Sequence, residues 1–307
     1  MTHWILLRGL TRDSRHWGRF PGVFCARLAD ANVVTLDLPG NGVLNMRRSP
    51  ANVAEMTAFC RAELPRRGVH PPYHLLAMSL GAMVAVDWAA IGAEEVRACV
   101  LINTSLRPFS PFYRRLRPGT YATLLKLMLT GRTDRQWEEA IVRLTSTRVE
   151  SRAEVMEQWA AFRSEHPVAR ANALRQLLAA ARYRGGRCPP AARMLILASA
   201  NDALVDSGCS QALAEAWKAT IAVHPTAGHD IPLDDGPWVA EQVARWISPS
   251  TDSGTATPSD RVSHPEATRS GEVIRRASSG EKTGRTGDQC DPAPLPLTGG
   301  EKNGSEE

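Results

Sequence analysis

The chain has 307 residues, of which 43% are hydrophobic, and a formal net charge of +5, a size that suits one large domain or two small ones. No stretch reaches the roughly 18 apolar residues that a membrane span needs, and the N-terminal MTHWILLRGL lacks the pattern of a secretory signal. We therefore expect a cytoplasmic protein without a membrane-spanning segment.

The six cysteines do not form a recognisable set. They include no C-x-x-C pair and no metal-like spacing, and most stand inside apolar runs. We interpret them as reduced, buried thiols, as is usual in a cytoplasmic protein. A nucleophilic role for one of them fits this pattern less well.

The composition changes at about residue 249. Residues 249–307 contain no aromatic residue and are rich in Ser, Thr, Gly, Pro and Glu. Such a segment cannot bury enough apolar surface to offset the entropy lost on ordering, so we predict a disordered tail. The folded part is then residues 1–248, a size that supports a single hydrophobic core.

The folded part alternates short apolar runs with amphipathic segments. The apolar runs predict six strands, over 4–9, 32–38, 73–78, 96–105, 192–200 and 220–225. Helices are predicted within 16–30 and over 49–64, 80–93, 207–219 and 236–248, with Ser49 capping the second and Pro50 in its first turn. Nearly continuous apolar strands between helices predict an α/β fold, with a mostly parallel sheet covered by helices on both faces.

Residues 106–190 carry no strand signal. Helical patterns fill this segment over 120–129, 134–145, 152–165 and 168–183. We predict an all-helical subdomain inserted between two strands of a core that residues 1–105 and 191–248 form.

The stretch AMSLG, residues 77–81, places a serine between a predicted strand and a predicted helix. A sharp turn there would lift the Ser79 side chain out of the sheet, and the crowding would require small residues two positions away, here Ala77 and Gly81. This matches the G-x-S-x-G nucleophile pattern with Ala in its first position. A buried strand that ends in a serine cap would look similar, so the motif alone leaves that alternative open.

Two further polar residues follow predicted strands. Asp202 comes directly after the strand 192–200, and His229 follows the strand 220–225. A serine needs a base to become a nucleophile, and that base is usually a histidine oriented by a carboxylate. Because parallel strands end at one edge of the sheet, we expect Ser79, Asp202 and His229 to meet there.

Each member of this set has a rival nearby in the sequence. His224 competes with His229, but it stands inside the last strand, before a proline, where packing explains it better. Asp206 competes with Asp202, but it is better placed to cap the helix that starts near Ser207.

The folded part resembles the α/β-hydrolase family over nearly its whole length, about residues 3–248. The resemblance is carried by LLRGLTRDSRHW (6–17), VVTLDLPGNG (33–42), LLAMSLGAMVA, LILASANDALV and AGHDIPLDD, and by the chain order Ser, Asp, His. The helical insert stands where the family places its lid, whereas the first two of the usual eight strands are absent.

The resemblance implies a role for each residue. Ser79 is the expected nucleophile, His229 the base and Asp202 the acid that orients it. The expected oxyanion donors are the backbone N–H groups of Leu80 and Leu10, with Gly9 allowing close approach. Arg8 stands where the family commonly has histidine.

A serine nucleophile implies attack on an acyl carbon, and no cofactor or metal is expected. We expect hydrolysis of an ester of a small or medium acyl group, since the insert is rich in apolar side chains. Perhydrolases, lyases and non-catalytic binding members share the fold and remain alternatives.

The insert is also basic: residues 105–187 hold 16 Lys and Arg against 7 Asp and Glu. In size, elbow type and basic lid, the chain resembles the pimeloyl-acyl-carrier-protein methyl ester carboxylesterases, which implies an acidic carrier protein as a possible partner. The candidate surface is Arg114, Arg115, Arg117, Arg143, Arg148 and Arg152. Arg outnumbers Lys 33 to 4 in the whole chain, so a coding bias toward arginine is the simpler explanation of this charge. Acidic residues interrupt this charge, which disfavours binding to nucleic acid.

Overall fold

The core is a six-stranded sheet in which every neighbouring pair of strands is parallel. The computed structural model describes residues 1–129, 133–148 and 152–248, and the predicted tail lies outside them. The strands are β1 Thr2–Leu7, β2 Ala31–Leu36, β3 Tyr73–Met78, β4 Val96–Ile102, β5 Arg193–Ser199 and β6 Thr220–His224, in the order β2-β1-β3-β4-β5-β6. All six predicted strands are confirmed, so the carboxyl ends of all six strands lie at one edge of the sheet.

Helices cover both faces of this sheet, as predicted. They are α1 Phe20–Arg27, α2 Val53–Arg66, α3 Leu80–Ile91, α4 Phe112–Arg115, α5 Tyr121–Leu129, α6 Asp134–Thr145, α7 Arg152–Glu165, α8 Arg170–Arg182, α9 Ser207–Trp217 and α10 Ile231–Ile247. Alternate residues of β1 enter two separate cores: Ile5 and Leu7 pack with α2, α3 and α9, and Trp4 and Leu6 pack with α1 and α10.

The predicted cap of α2 is wrong. The N-cap is Asn52, whose side chain accepts a hydrogen bond from the N–H of Glu55 at 2.9 Å and donates one to its carboxylate at 2.6 Å. This reciprocal pairing outcompetes a cap three residues earlier. Ser49 is buried instead, and its hydroxyl donates to the carbonyl of Pro39 at 2.6 Å.

Four of the described cysteines are free thiols: Cys60, Cys99 and Cys209 are buried, and Cys25 is half-buried. For these four residues the prediction of reduced thiols is confirmed.

Helices α4 to α8 make up the described part of the insert between β4 and β5. None of the helices in the described ranges combines the length and apolarity that crossing a membrane requires. The loop after β1 holds the insert in place: Arg12 donates to Glu138 of α6 at 2.6 Å, with both side chains buried. On α8, the buried Gln176 donates to Asn41 at 2.7 Å and accepts from the N–H of Thr11 at 2.8 Å. The insert is therefore fixed to the core by buried polar contacts.

His16 is buried in the same polar region. Nη1 of Arg12 lies 3.2 Å from Nε2 of His16, and because a guanidinium can only donate, Nε2 is the acceptor. On the other side of the ring, Nδ1 lies 3.1 Å from the backbone nitrogen of Asp13 and 3.0 Å from its carboxylate. Burial, followed by the charge of Arg12, lowers the pKa of His16 to about 4.

This neutral histidine predicts a loss of stability in mild acid. An ordinary histidine titrates near 6.5, so the contribution of His16 is complete above that pH and is lost as the pH falls toward 4. The shift corresponds to about 3 kcal/mol of unfolding free energy. Urea unfolding at pH 7.5, 5.5 and 4.5 should show a smaller decrease for His16→Gln than for the parent. His70→Gln, at an exposed position, is the control and should behave like the parent, whereas equal decreases in all three proteins would contradict the assignment.

Candidate active site

Loops after β5 and β6 bring Asp202 and His229 into contact. Oδ2 of Asp202 lies 2.6 Å from Nδ1 of His229, and both side chains are buried. The other carboxylate oxygen of Asp202 accepts from the N–H groups of Leu204 at 2.8 Å and Val205 at 2.9 Å. The carboxylate is therefore fixed from the protein side and directed at the imidazole.

Ser79 stands in a sharp turn between β3 and α3. Its backbone has φ 53° and ψ −116°, a conformation that residues other than glycine rarely adopt. Ser79 and His229 line the same cavity. Within the described ranges no hydrogen bond joins their side chains, and such contacts are often long in an unliganded site.

Small residues surround this turn. A Cβ atom on Gly81 would lie 2.6 Å from the carbonyl oxygens of both Leu7 and Arg8, and one on Gly9 would lie 3.2 Å from Cβ of Ser79. Ala77 is fully buried in β3. The turn therefore packs directly against the end of β1, which explains the small residues on either side of the serine.

Leu80 and Leu10, the residues expected to supply the oxyanion donors, both line the cavity together with Ser79. Leu80 is the first residue of α3, so its N–H has no acceptor within the helix. The N–H of Leu10 donates to no acceptor in the described part of the chain. Both are thus available to a ligand.

The rival residues have other partners. Nδ1 of His224 accepts from the N–H groups of Thr226 at 3.2 Å and Ala227 at 2.8 Å, which organises the turn after β6. Asp206 caps α9 by accepting from the N–H of Gly208 at 2.9 Å. Neither side chain is among those that line the cavity.

Sequence reasoning missed two residues that hold the His229 loop. Asn103, at the end of β4, is buried with φ 45°; its side chain donates to the carbonyl of His229 at 2.7 Å and accepts from the N–H of Ser199 at 2.8 Å. Asp234, in α10, accepts from the N–H of Gly228 at 2.7 Å. The sequence offered one signal for Asn103: it is the polar residue that ends the apolar run of β4.

The cavity has a volume of about 400 Å³ and extends from Ser79 under the insert. Its wall on the side of the insert is mainly apolar, formed by Phe112, Leu116, Leu124, Ile141, Leu144 and Leu177. Not all apolar side chains of the insert line this cavity: Trp137 and Trp159, for example, are buried in packing contacts elsewhere. Within the described residues, no group of three or more His, Cys, Asp or Glu is placed to hold a metal ion.

The arginines proposed as a partner surface are mostly engaged with the protein itself. Arg117, Arg143 and Arg148 form ion pairs with Asp206, Glu139 and Asp235. Arg115 is half-buried, lines the cavity and donates to the carbonyl of Ala180 at 2.6 Å. Arg114 is exposed, and the side chain of Arg152 lies outside the described part of the structure.

A family model described as "Alpha/beta hydrolase family" matches residues 4–242. The chain belongs to the alpha/beta hydrolase family. Family membership and the fold support an enzyme of the hydrolase class. A search of curated proteins finds no match.

Solved structures share this fold at low sequence identity. A putative non-heme bromoperoxidase, BpoC, from Mycobacterium tuberculosis H37Rv is 19% identical, with a TM-score of 0.64 over 80% of this chain and 91% of that one. The esterase RhEst1 from Rhodococcus sp. ECU1013 is also 19% identical, with a TM-score of 0.64 over 80% and 90%. A thermophilic esterase from Thermogutta terrifontis is 19% identical, with a TM-score of 0.62 over 80% and 89%.

Because Gly81 lies so close to the backbone at the end of β1, we expect a single added methyl group at this position to lower the stability of the protein strongly. Gly81→Ala should lower the free energy of unfolding by about 1–3 kcal/mol or more, because the added Cβ meets two backbone oxygens that cannot move independently. Gly22→Ala in α1 is the matched control. Its Cβ meets nothing within 4 Å, so it should leave stability unchanged or raise it by up to about 1 kcal/mol. Denaturant unfolding of both variants provides the comparison, and equal stabilities would contradict the packing described here.

Proposed function

We propose that this protein is a serine hydrolase that cleaves carboxylic esters of small or medium acyl groups through an acyl-enzyme intermediate. The observation that carries the proposal is the 2.6 Å contact between Asp202 and His229, beside a cavity that Ser79 and His229 both line. Membership of the alpha/beta hydrolase family supports the same chemistry.

In the proposed reaction, His229 acts first as a base and then as an acid. Asp202 holds the proton of the imidazole on Nδ1, which leaves Nε2 free to accept the proton of the Ser79 hydroxyl. Oγ of Ser79 attacks the ester carbonyl, and the oxyanion that forms is bound by the N–H groups of Leu80 and Leu10. His229 then gives its proton to the leaving alcohol, and water releases the acid from the acyl-enzyme by the same steps.

The cavity supports an apolar acyl group. Side chains from α4, α5, α6 and α8 form a mainly apolar wall, which favours a hydrocarbon chain over a sugar or a peptide. We therefore assign the insert the role of a lid that encloses the acyl group. Two of the structural relatives named above are esterases, which fits this proposal at the level of the fold.

The alternative activities have weaker support. An acidic carrier protein, as in the pimeloyl-acyl-carrier-protein methyl ester carboxylesterases, remains a prediction, and the ion pairs of Arg117, Arg143 and Arg148 reduce the free charge available to it. A perhydrolase or a lyase would use the same three side chains. The contact of Asp202 with His229 disfavours a purely binding role. A cytoplasmic location stays a prediction.

Replacement of the nucleophile tests the proposal. With p-nitrophenyl esters from acetate to decanoate, Ser79→Ala should lose on the order of 10³-fold or more in kcat, because the acyl-enzyme can no longer form. The profile across chain lengths then measures the size of the acyl pocket. The matched control is Ser210→Ala, a buried serine of α9 whose hydroxyl donates to the carbonyl of Thr104 at 3.2 Å, and it should retain the parent rate.

A folded Ser79→Ala protein that hydrolyses these esters as fast as the parent would overturn the proposal. A folded parent that turns over none of them would instead move the lyase and binding alternatives forward.

A further inference from the structure

A buried ion pair between Arg8 and Asp230 lies next to the candidate active site. The guanidinium of Arg8 donates to the carboxylate of Asp230 through both terminal nitrogens, at 3.1 Å from Nη1 and 2.5 Å from Nη2. Each side chain is 2% exposed, and the two residues are 222 positions apart in the sequence. Both residues line the cavity that contains Ser79.

The pair connects two loops that the proposed reaction uses. Arg8 directly precedes Gly9 and Leu10, and its carbonyl oxygen faces Gly81 of the serine turn. Asp230 directly follows His229 and caps α10 by accepting from the N–H of Leu233 at 3.3 Å. A shift of either loop would therefore change the distance between the N–H of Leu10 and the imidazole of His229.

Arg8 itself is held from several sides. Its guanidinium lies over the ring of Trp17, 4.8 Å from the ring centroid, and Nη1 is 3.5 Å from the sulfur of Met78. Burial alone would raise the pKa of Asp230, but the charge of Arg8 and its hydrogen bonds hold that pKa below the ordinary value. The carboxylate therefore stays ionised and the pair stays intact at neutral pH.

A purely stabilising role explains this arrangement poorly. The cost of removing two charges from water offsets most of their mutual attraction, so a buried ion pair adds little net stability. A planar, two-point contact between arginine and carboxylate does restrict both partners in distance and in angle.

We propose that Arg8 and Asp230 are positioning residues, which hold the backbone donor Leu10 and the base His229 at the separation that the transition state requires. This inference rests on the proposed function. It assigns a use to the arginine that stands where the family commonly has histidine. Arg8 acts through its neighbours, so its loss affects kcat rather than substrate binding.

The test compares three substitutions at the pair, Arg8→Lys, Arg8→Met and Asp230→Asn, using p-nitrophenyl butyrate. We expect kcat to fall by roughly 10- to 100-fold in Arg8→Met and Asp230→Asn, because small displacements of catalytic groups have effects of this size. KM should stay within about threefold. Arg8→Lys keeps the charge but not the two-point contact, so it should recover part of the rate.

Arg61→Met is the matched control. Arg61 forms a two-point pair with Glu95, and neither residue lines the cavity. This variant should lose some stability and keep the parent kcat. All assays are run well below the unfolding midpoint of each variant, and Arg8→Lys keeps the test informative if Arg8→Met fails to fold.

The outcomes separate the two proposals. If the folded Arg8 and Asp230 variants keep kcat within twofold of the parent, or change only KM, the positioning role is wrong. If Ser79→Ala, assayed in parallel, retains the parent rate, the proposed function itself fails and the effect at Arg8 has another cause.

Discussion

The turn at Ser79 is the constraint on which the rest of the site depends. A residue other than glycine at φ 53° costs on the order of 1–3 kcal/mol and persists only where the surroundings impose it. Here the N–H of Ser79 donates to the carbonyl of Ile102 in β4 at 3.0 Å, and Gly81 packs onto the carbonyls of Leu7 and Arg8 at the end of β1. Three neighbouring strands therefore determine where the hydroxyl lies, and the parallel sheet is what brings their ends together.

The loop that carries His229 is also held in place by several hydrogen bonds. Asp202 after β5 and Asn103 after β4 bind its side chain and its carbonyl, while the N–H of Asp230 donates to the carbonyl of Thr145 at the end of α6 at 2.7 Å. The insert therefore does more than enclose the cavity, because it also supports the loop that holds the proposed base. Its own attachment through the buried Arg12–Glu138 pair makes a rigid wall a better description than a freely opening flap.

The strands and the three polar residues of the candidate site could be predicted from the sequence, because each is marked by a local pattern of residues. Ser79, Asp202 and His229 each follow an apolar run, and parallel topology alone places such positions at one edge. Asn103 and Asp230 could not be assigned in this way, since their contacts join residues 126 and 222 positions apart. The same limit applies to the arginines of the insert: their charge can be counted in the sequence, but the acids that pair with them cannot be identified there. The error at Ser49 was of another kind, a choice between two capping residues three positions apart.

The central claim is that Ser79 is a nucleophile activated by His229, and covalent labelling tests it most directly. The folded protein is treated with a fluorophosphonate, which loses fluoride when an activated serine attacks phosphorus, and the labelled residue is located by peptide mass spectrometry. The account predicts one adduct per chain on Ser79 and a large loss of labelling rate in His229→Ala. Stoichiometric labelling at another residue, or ester hydrolysis that persists in a protein never labelled at Ser79, would contradict it.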